Sequence, residues 1–380
     1  MNVSLGMPSI RTESVADRAS HTRDTLERRA HDAPTSGPLA DTFGRTGTDL
    51  RVSLTDLCNL RCTYCMPASG MTFLPKDAVL TAAEVVRIVR VAVDVLGVSE
   101  LRLTGGEPLL RQDLAHIVAS IRGNHPDLPI AMTTNAIGLE KHLPALHQAG
   151  LNRINVSLDT VDPATFAQLS RRTQFSEVMD GLNAALRLRD QTARDSVPFG
   201  VKINSVLMRG VNDHQAVDLA QFGIDHGITV RFIEQMPLDA DHGWTRQNMV
   251  TAHDIATQLQ QRWELRPRAG RGSAPAELFD LVDARGVAGQ VGIIASVTRP
   301  FCSACTRTRI TAEGKIRSCL FSHEEFDLAA LLRSGASDDQ IAQAWRQAMW
   351  LKPKAHGMGE AGLDSDAYEQ PNRSMSAIGG

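Results

Sequence analysis

Two separate groups of three cysteines are the residues whose spacing points most directly to chemistry. The first group, spaced C-x3-C-x2-C, is Cys58, Cys62 and Cys65. The second group, spaced C-x2-C-x13-C, is Cys302, Cys305 and Cys319. Three thiolates can hold three irons of a [4Fe-4S] cubane and leave the fourth iron free to bind another molecule. All six cysteines fall in these groups, and the first residues lack the apolar core of a signal peptide, so we expect metal binding rather than disulfides.

Zinc is the alternative at each cysteine group, because three thiolates and one histidine also make a zinc site. The first group would need a distant histidine, and it lacks the paired C-x2-C knuckles of most structural zinc sites. The second group has His323 shortly after Cys319, so zinc is a stronger alternative at the second group than at the first. We favour an iron–sulphur cluster at both groups.

Strand-like and helix-like segments alternate from residue 50 onward. The strands end near Leu54, Leu103, Met132, Leu158, Leu207 and Ile233. Helical periodicity marks Ala82–Leu96, Asp113–Arg122, Leu139–Gln148, Ser176–Arg189 and Asp213–His226. This alternation predicts an α/β fold of parallel strands joined by crossover helices. Because six units are fewer than the eight of a closed barrel, we predict an open, partial (β/α)6 barrel, with a doubly wound sheet as the alternative.

The sequence divides into three regions. Residues 1–49 are polar and contain several acidic residues, which predicts a mostly disordered leader rather than a transit peptide. Residues 50–237 form the predicted barrel, and residues 238–380 form a C-terminal region with the second cysteine group. In that region we predict strands and helices at Ala252–Trp263, Leu278–Val282, Val291–Val297, Thr306–Ile310, Ile316–Leu320, Asp327–Arg333 and Asp338–Trp350. A net charge of −3 and the absence of a long apolar run argue against nucleic-acid and membrane binding and favour a cytoplasmic protein.

Small and polar residues follow the predicted strands at their carboxyl ends, where the chemistry of parallel α/β folds takes place. The first cysteine group follows the first strand. The other strand ends are followed by Gly105-Gly106-Glu107-Pro108, Thr133-Thr134-Asn135, Ser157-Leu158-Asp159 and Met236-Pro237. These segments are expected to meet at one edge of the sheet.

Cationic residues occur on strands that are predicted to be buried. They are Arg51, Arg102, Lys202 and Arg231 on four barrel strands, and Arg307 and Arg309 on one face of a later strand. Buried cations require anionic partners, and a nucleoside triphosphate with about four negative charges would supply them. The pattern therefore predicts a phosphorylated substrate inside the barrel.

The first cysteine motif, with Tyr64 before its last cysteine, resembles the radical S-adenosylmethionine superfamily. The resemblance implies that the open iron of the first cluster binds S-adenosylmethionine, whose reductive cleavage gives a 5'-deoxyadenosyl radical. It also implies contacts to S-adenosylmethionine from Tyr64, Gly106, Ser157 and Met236.

The motifs from about Leu50 to the C-terminus are similar to those of the GTP 3',8-cyclase family of molybdenum-cofactor biosynthesis. The matching segments are CNLRCTYCMP, LRLTGGEPLLR, TTNAIGL, NVSLDT, VKINSV, RFIEQMP, CSACTRTRIT and the terminal Gly379-Gly380. The implied GTP contacts come from Arg51, Arg102, Thr133, Lys202, Arg307, Thr308 and Arg309. Arg231 matches a position near the triphosphate, and Gln235 stands where an apolar or aromatic residue is expected. The tail is implied to fold into the site.

The resemblance implies a reaction in which the deoxyadenosyl radical removes hydrogen from C3' of GTP and the ribose carbon radical closes onto C8 of the guanine; one further electron and a proton then give the cyclised product. The first three cysteines, Arg307 and Arg309 would be catalytic, and the second cluster would anchor the guanine. A low-potential one-electron donor and cyclic pyranopterin monophosphate synthase would be partners of a monomer or homodimer. The alternatives are a peptide-modifying radical enzyme, which would be expected to carry more cysteines, and a zinc-binding adaptor.

Overall fold

The computed structural model describes residues 30–355, 370–371 and 373–378. The strands are β1 (Asp49–Ser53), β2 (Glu100–Thr104), β3 (Ile130–Thr134), β4 (Arg153–Ser157), β5 (Gly200–Val206), β6 (Thr229–Ile233), β7 (Glu264–Pro267), β8 (Glu277–Asp283), β9 (Gly286–Ile294), β10 (Arg307–Ile310), β11 (Lys315–Arg317) and β12 (Phe326–Asp327). The helices are α1 (Ala82–Asp94), α2 (Leu114–Asn124), α3 (Leu139–Gln148), α4 (Pro163–Ser170), α5 (Phe175–Gln191), α6 (Ala216–Asp225), α7 (Ala252–Leu259), α8 (Leu328–Arg333), α9 (Asp338–Trp350) and α10 (Met375–Ile378). None of the helices in these ranges is long and apolar enough to cross a membrane.

All the strands belong to one sheet with the order β12-β11-β10-β1-β2-β3-β4-β5-β6-β9-β8-β7. Each of β1 to β6 runs parallel to the next, as the sequence predicts. The sheet continues at both ends, because β10 pairs in parallel with β1 and β9 pairs in parallel with β6. The open (β/α)6 barrel is thus confirmed, and C-terminal strands extend both of its edges.

Alternation along the parallel strands separates an apolar outer face from a polar inner face. Leu50 and Val52 of β1 are fully buried in the apolar core, while Arg51 between them points the other way and lines the interior cavity. The crossover helices bury their apolar stripes on the outer face; α1, for example, buries Ile88 and Val89. The helices therefore cover the outside, and the inner face is left for polar side chains.

Side-chain caps define where several helices begin. Thr81 and Glu84 form a reciprocal capping box at the start of α1, and Ser337 and Gln340 do the same for α9. The sequence prediction missed α4, although Asp162 caps it and Pro163 occupies its first turn. It also missed the short strands β7 and β12, and the short helix α10 near the C-terminus.

The segment before β1 packs onto the body of the protein. Leu39 is fully buried, and the buried carboxylate of Asp41 forms an ion pair with Arg45. The prediction of a mostly disordered leader is therefore wrong for residues 30–48, because an apolar anchor and a buried ion pair hold this segment. Residues 1–29 lie outside the described part of the chain.

Candidate active site

One large cavity lies on the inner face of the sheet, at the carboxyl ends of the parallel strands. Residues from β1 to β6, β9 and β10 line it, and so do all six cysteines. The two cysteine groups are far apart in the sequence and meet here because β10, which follows Cys305, pairs with β1, which precedes Cys58. The fold thus brings both predicted metal sites to a single cavity.

The first cysteine group occupies the loop after β1, and backbone hydrogen bonds shape this loop. The amides of Cys65 and Met66 both donate to the carbonyl oxygen of Cys62 at 2.9 Å. Arg61 Nη1 donates to the carbonyl of Cys58 at 2.6 Å, and Arg171 Nη1 donates to the carbonyl of Met66 at 2.8 Å. Two arginines therefore hold the loop from both ends.

The thiols of the first group lie close enough to influence one another. Burial, followed by the charges of Asp159, Cys65 and Cys58, raises the pKa of Cys62 well above its ordinary value. Burial and the charge of Cys58 raise the pKa of Cys65 to about 12. Buried thiols with raised pKa values become thiolates when a metal compensates their charge, so these residues fit a metal cluster.

The second group begins with a short turn, in which the Cys305 amide donates to the Cys302 carbonyl at 3.2 Å. Burial tends to raise the pKa of Cys305, but the charges of Lys352 and Arg307 outweigh it and lower the pKa. His323 is exposed and does not line the cavity formed by the described residues. The structure therefore gives no support to the zinc alternative that uses His323.

No group of three or more His, Cys, Asp or Glu side chains in the described ranges is arranged to hold a metal ion. A cubane attaches each thiolate to a different iron, so its ligands need not converge on one point as zinc ligands must. Two triads of cavity-facing thiols fit that requirement.

The residues predicted to contact S-adenosylmethionine all line the cavity near the first cysteine group. The Tyr64 hydroxyl donates to Asp159 Oδ2 at 2.7 Å, and the Val206 amide donates to Asp159 Oδ1 at 2.8 Å. A side chain at Gly106 would place its Cβ 2.2 Å from the Leu57 carbonyl oxygen, so only glycine fits. Ser157 and Met236 lie on the same cavity wall.

Glu107 follows the glycine pair and is fully buried beside the cavity. Its carboxylate accepts hydrogen bonds from the Thr134 hydroxyl at 2.7 Å and from the amides of Asn135 and Leu109 at 2.6 and 3.0 Å. Burial nevertheless raises the pKa of Glu107 to about 7. The side chain thus connects the ends of β2 and β3 and holds the glycine pair in place.

A cluster of cations occupies the inner face deeper in the barrel. Arg309, Arg51 and Arg102 are direct neighbours across β10, β1 and β2. Asp49 is the carboxylate among them, 3.6 Å from Arg51 and 3.8 Å from Arg307. Within the described ranges, the charges of Arg51, Arg102 and Arg307 all act on the single carboxylate of Asp49, so this part of the inner face carries more positive than negative charge.

The excess positive charge perturbs the individual groups. Burial and neighbouring cations lower the pKa of Arg231 to about 9, of Arg307 to about 10 and of Lys202 to about 8. The buried Nε atoms of Arg51, Arg102 and Arg231 have no hydrogen-bond partner in the described part of the chain. Unpaired buried donors with excess charge are the features of an anion-binding site.

The cavity wall includes Arg51, Arg102, Thr133, Arg307 and Arg309, all predicted to contact GTP. Lys202 lies deeper on the inner face of β5, where the charges of Arg231, Arg153 and Arg102 affect it. The prediction for Thr308 is corrected for its side chain, because the hydroxyl lies on the outer face and accepts a hydrogen bond from Trp345 Nε1 at 2.9 Å; a contact from its backbone to GTP stays a prediction. Alternation along β10 sends this side chain away from its two arginine neighbours.

Several residues in or next to the site were not predicted; Ser376 lines the cavity, whereas Arg153 and Lys352 lie behind its wall. Arg153 lies two and four residues before Asn155 and Ser157 on the same face of β4, so alternation from Ser157 was a usable signal. Lys352 and Ser376 gave no signal, because each reaches the site through a long-range contact. Ser376 donates to Met71 Sδ at 3.2 Å and contacts the thiol of Cys65. Gln235 is buried on the cavity wall, and Gly379-Gly380 lies outside the described residues.

Comparison with known families matches two consecutive regions of the chain to two family models. Residues 52–223 match the model of the radical SAM superfamily, and residues 228–358 match the model named Molybdenum Cofactor Synthesis C. The GTP 3',8-cyclase of Paenarthrobacter nicotinovorans is 58% identical, and the alignment covers 90% of this chain and 97% of that protein.

Two further relatives agree. The GTP 3',8-cyclase of Streptomyces coelicolor is 54% identical over 90% of this chain and 96% of its own length. That of Mycolicibacterium smegmatis is 52% identical over 92% and 94%, respectively. Identity at this level across nearly the whole chain includes both halves of the cavity, and the chain belongs to the GTP 3',8-cyclase family.

Proposed function

We propose that the cavity holds GTP between two [4Fe-4S] clusters and that the protein converts it to (8S)-3',8-cyclo-7,8-dihydroguanosine 5'-triphosphate, the first step of molybdenum-cofactor biosynthesis. The observation that carries this proposal is that two cysteine triads and an excess of buried arginines face one cavity. A triphosphate would supply negative charge to Arg51, Arg102 and Arg231, whose Nε atoms have no hydrogen-bond partner in the described part of the chain, and the triads would supply the ligands of the metal centres.

Cys58, Cys62 and Cys65 would hold the first cluster, which with bound S-adenosylmethionine supplies a 5'-deoxyadenosyl radical. The chain's own contribution here is placement. Gly106 lets its own segment pack against the carbonyls of Asp56 and Leu57 beside the cysteine loop, where the methionine group would bind, and Ser157 and Met236 line the cavity where the nucleoside part would rest. Asp159 accepts a hydrogen bond from the Tyr64 hydroxyl and so holds the tyrosine ring in place beside Cys65 in the cysteine loop.

The arginine cluster would bind the triphosphate and set the distance between the ribose and the first cluster. Arg51, Arg102 and Arg307 line the cavity close to Asp49. Arg231 on β6 adds a further positive charge to the same wall. Guanidinium groups bind phosphate oxygens in fixed, bidentate geometry, so they orient a nucleotide as well as attract it. Orientation matters here because an enclosed radical must meet one particular ribose hydrogen.

Cys302, Cys305 and Cys319 would hold the second cluster, whose open iron would anchor the guanine. The triad adjoins Arg307, and the ring of Phe301 packs under that guanidinium at 4.4 Å. A base held at the second cluster and a triphosphate held by the arginines would leave the ribose facing the first cluster.

The division into a barrel at 50–237 and a C-terminal region at 238–380 is proposed as functional rather than spatial, because the sheet is continuous. The first region would generate the radical, and the second would bind the guanine. A low-potential one-electron donor would reduce the clusters in the cytoplasm, and cyclic pyranopterin monophosphate synthase would take the product. The oligomeric state would be a monomer or a homodimer.

The metal content of anaerobically purified protein tests the proposal directly. We expect about eight irons and eight sulphides per chain, as two cubanes require. Cys58→Ala should leave about four irons and abolish 5'-deoxyadenosine formation. Cys319→Ala should impair the second cluster and retain cleavage of S-adenosylmethionine. Zinc in place of four of the irons would refute the guanine-anchoring role, and 5'-deoxyadenosine formation by the Cys58 variant would refute the first assignment.

A further inference from the structure

Lys352 is a buried lysine behind the second cysteine group. The residue comes two positions after the end of α9 and is only 2% exposed. The ammonium donates to the carbonyl of Arg307 at 2.6 Å and to that of Cys305 at 3.2 Å, and it also contacts the Cys305 thiol. The lysine thus touches both the backbone and a predicted ligand of the second cluster.

The surroundings of Lys352 contain no carboxylate partner among the described residues. The groups that favour its charge are Cys305 and Cys319, while Arg45 opposes it. A buried ammonium without an anion is costly. Thiolates or a cluster with net negative charge would supply the missing anion. The positive charge of Lys352 would then balance part of the negative charge of this cysteine triad.

Arg45 reinforces the same region from the segment before β1. Its guanidinium donates to the carbonyls of Cys302 at 2.7 Å, Lys354 at 2.9 Å and Pro353 at 2.6 Å. Asp41 pairs with it and is itself buried. Arg45 therefore ties the cysteine turn to the segment that carries Lys352, which keeps the ammonium at a fixed distance from the triad.

We propose that Lys352 is a positioning residue that balances the charge of the second cluster, and that Arg45 fixes the distance between Lys352 and the cysteine turn. The proposal rests on the proposed second cluster. The reduction potential of an iron–sulphur cluster depends on net charge, hydrogen bonding near its sulphurs and solvent exposure. A fixed buried cation favours the reduced form, which carries one more negative charge, so Lys352 raises the potential of this cluster.

Charge and hydrogen bonding can be separated by substitution at the same position. Lys352→Gln retains a donor for the backbone carbonyls but removes the charge. Lys352→Arg retains the charge. Lys354→Gln is the matched control, because Lys354 is exposed two residues away and contributes only its backbone carbonyl to Arg45.

The experiment uses full-length protein with Cys58, Cys62 and Cys65 changed to alanine, so that the second cluster is the sole source of signal. Its midpoint potential is measured by EPR-monitored redox titration, together with iron content. At the midpoint potential of the parent triple-alanine protein, we expect the reduced-to-oxidised ratio in K352Q to fall about tenfold, which corresponds to about 59 mV for one electron. K352R and K354Q should stay within about twofold of the parent, because both keep the buried charge.

Equal potentials in K352Q and the parent, with about four irons in each, would overturn the inference. Loss of iron in K352Q with retention in K352R would support it, because charge would then be required for assembly. Loss of iron in both variants would overturn the charge argument, because the cluster would then require the shape of the lysine side chain rather than its charge. A parent protein with zinc or no iron would refute the proposed second cluster, and with it the role of Lys352.

Discussion

Replacing Arg231 with methionine should have opposite effects on the stability of the free protein and on nucleotide binding. Arg231 is 8% exposed, and its one hydrogen bond in the described structure joins Nη2 to Asn155 Oδ1 at 2.7 Å. Burial, then the charges of Arg153, Arg51 and Arg307, lowers its pKa to about 9. The folded protein without GTP therefore disfavours this charge, and removing it should raise the free energy of unfolding.

The magnitude follows from the pKa and the hydrogen bond. A pKa of about 9 in place of 12.5 corresponds to roughly 5 kcal/mol of destabilisation by the charged group, as an upper estimate. The hydrogen bond to Asn155 offsets about 1.5 to 3 kcal/mol. A net gain of about 2 kcal/mol is expected at pH 7 to 8. Because the folded-state pKa is lowered, the destabilisation is complete below pH 9 and declines as the pH rises above it.

Nucleotide binding should change in the other direction. A guanidinium that donates charge-assisted hydrogen bonds to phosphate contributes roughly 1.5 to 3 kcal/mol, so the Kd for GTP should rise about 10- to 150-fold. Calorimetry measures the Kd, and urea unfolding without nucleotide measures stability. Arg266→Met, at an exposed arginine of β7 paired with Glu264, is the control and should change neither quantity appreciably. A less stable R231M protein that binds GTP normally would refute the reasoning.

Three further predictions concern other parts of the site. Arg307→Ala should reduce formation of the cyclised nucleotide by roughly 10- to 150-fold while 5'-deoxyadenosine formation changes much less; equal loss of both products by chromatography would contradict a substrate role. Glu234→Gln should lower the free energy of unfolding by about 2 to 4 kcal/mol in urea, because the fully buried carboxylate accepts the amides of Ala252, Val297 and Thr298, and the exposed Glu264→Gln serves as control. Deleting Gly379-Gly380 should reduce product formation roughly tenfold or more with an unchanged unfolding midpoint; full activity would show that the tail takes no part.

The strands β1 to β6 could be predicted because each is a short apolar run between helical segments, and because parallel strands place their carboxyl ends together. The same rule placed Gly106, Ser157 and Met236 beside the first cysteine group. The pairing of β1 with β10 could not be predicted, because periodicity describes only local structure and Arg307 lies near the other end of the chain from Asp49.

Two errors have identifiable physical causes. Thr308 was carried along with its neighbours in a sequence motif, although the alternation that puts Arg307 and Arg309 on one face also puts Thr308 on the other. The segment before β1 is polar on average, and average polarity does not reveal that Leu39 is an anchor or that Arg45 reaches the carbonyl of Cys302. Such contacts depend on which distant surface the segment meets.

The position of β10 and β9 at the two edges of the barrel has a consequence for how the protein forms during synthesis. A nascent chain that ends after β6 would leave β1 and β6 as bare parallel edges, which readily pair with other chains. Those edges are covered only when residues 286–310 have emerged, and contacts of such large sequence separation form slowly. The first cysteine loop is thus made early but enclosed late. Until the C-terminal strands dock, the three thiols of that loop stay open to solvent, which leaves a route for cluster insertion.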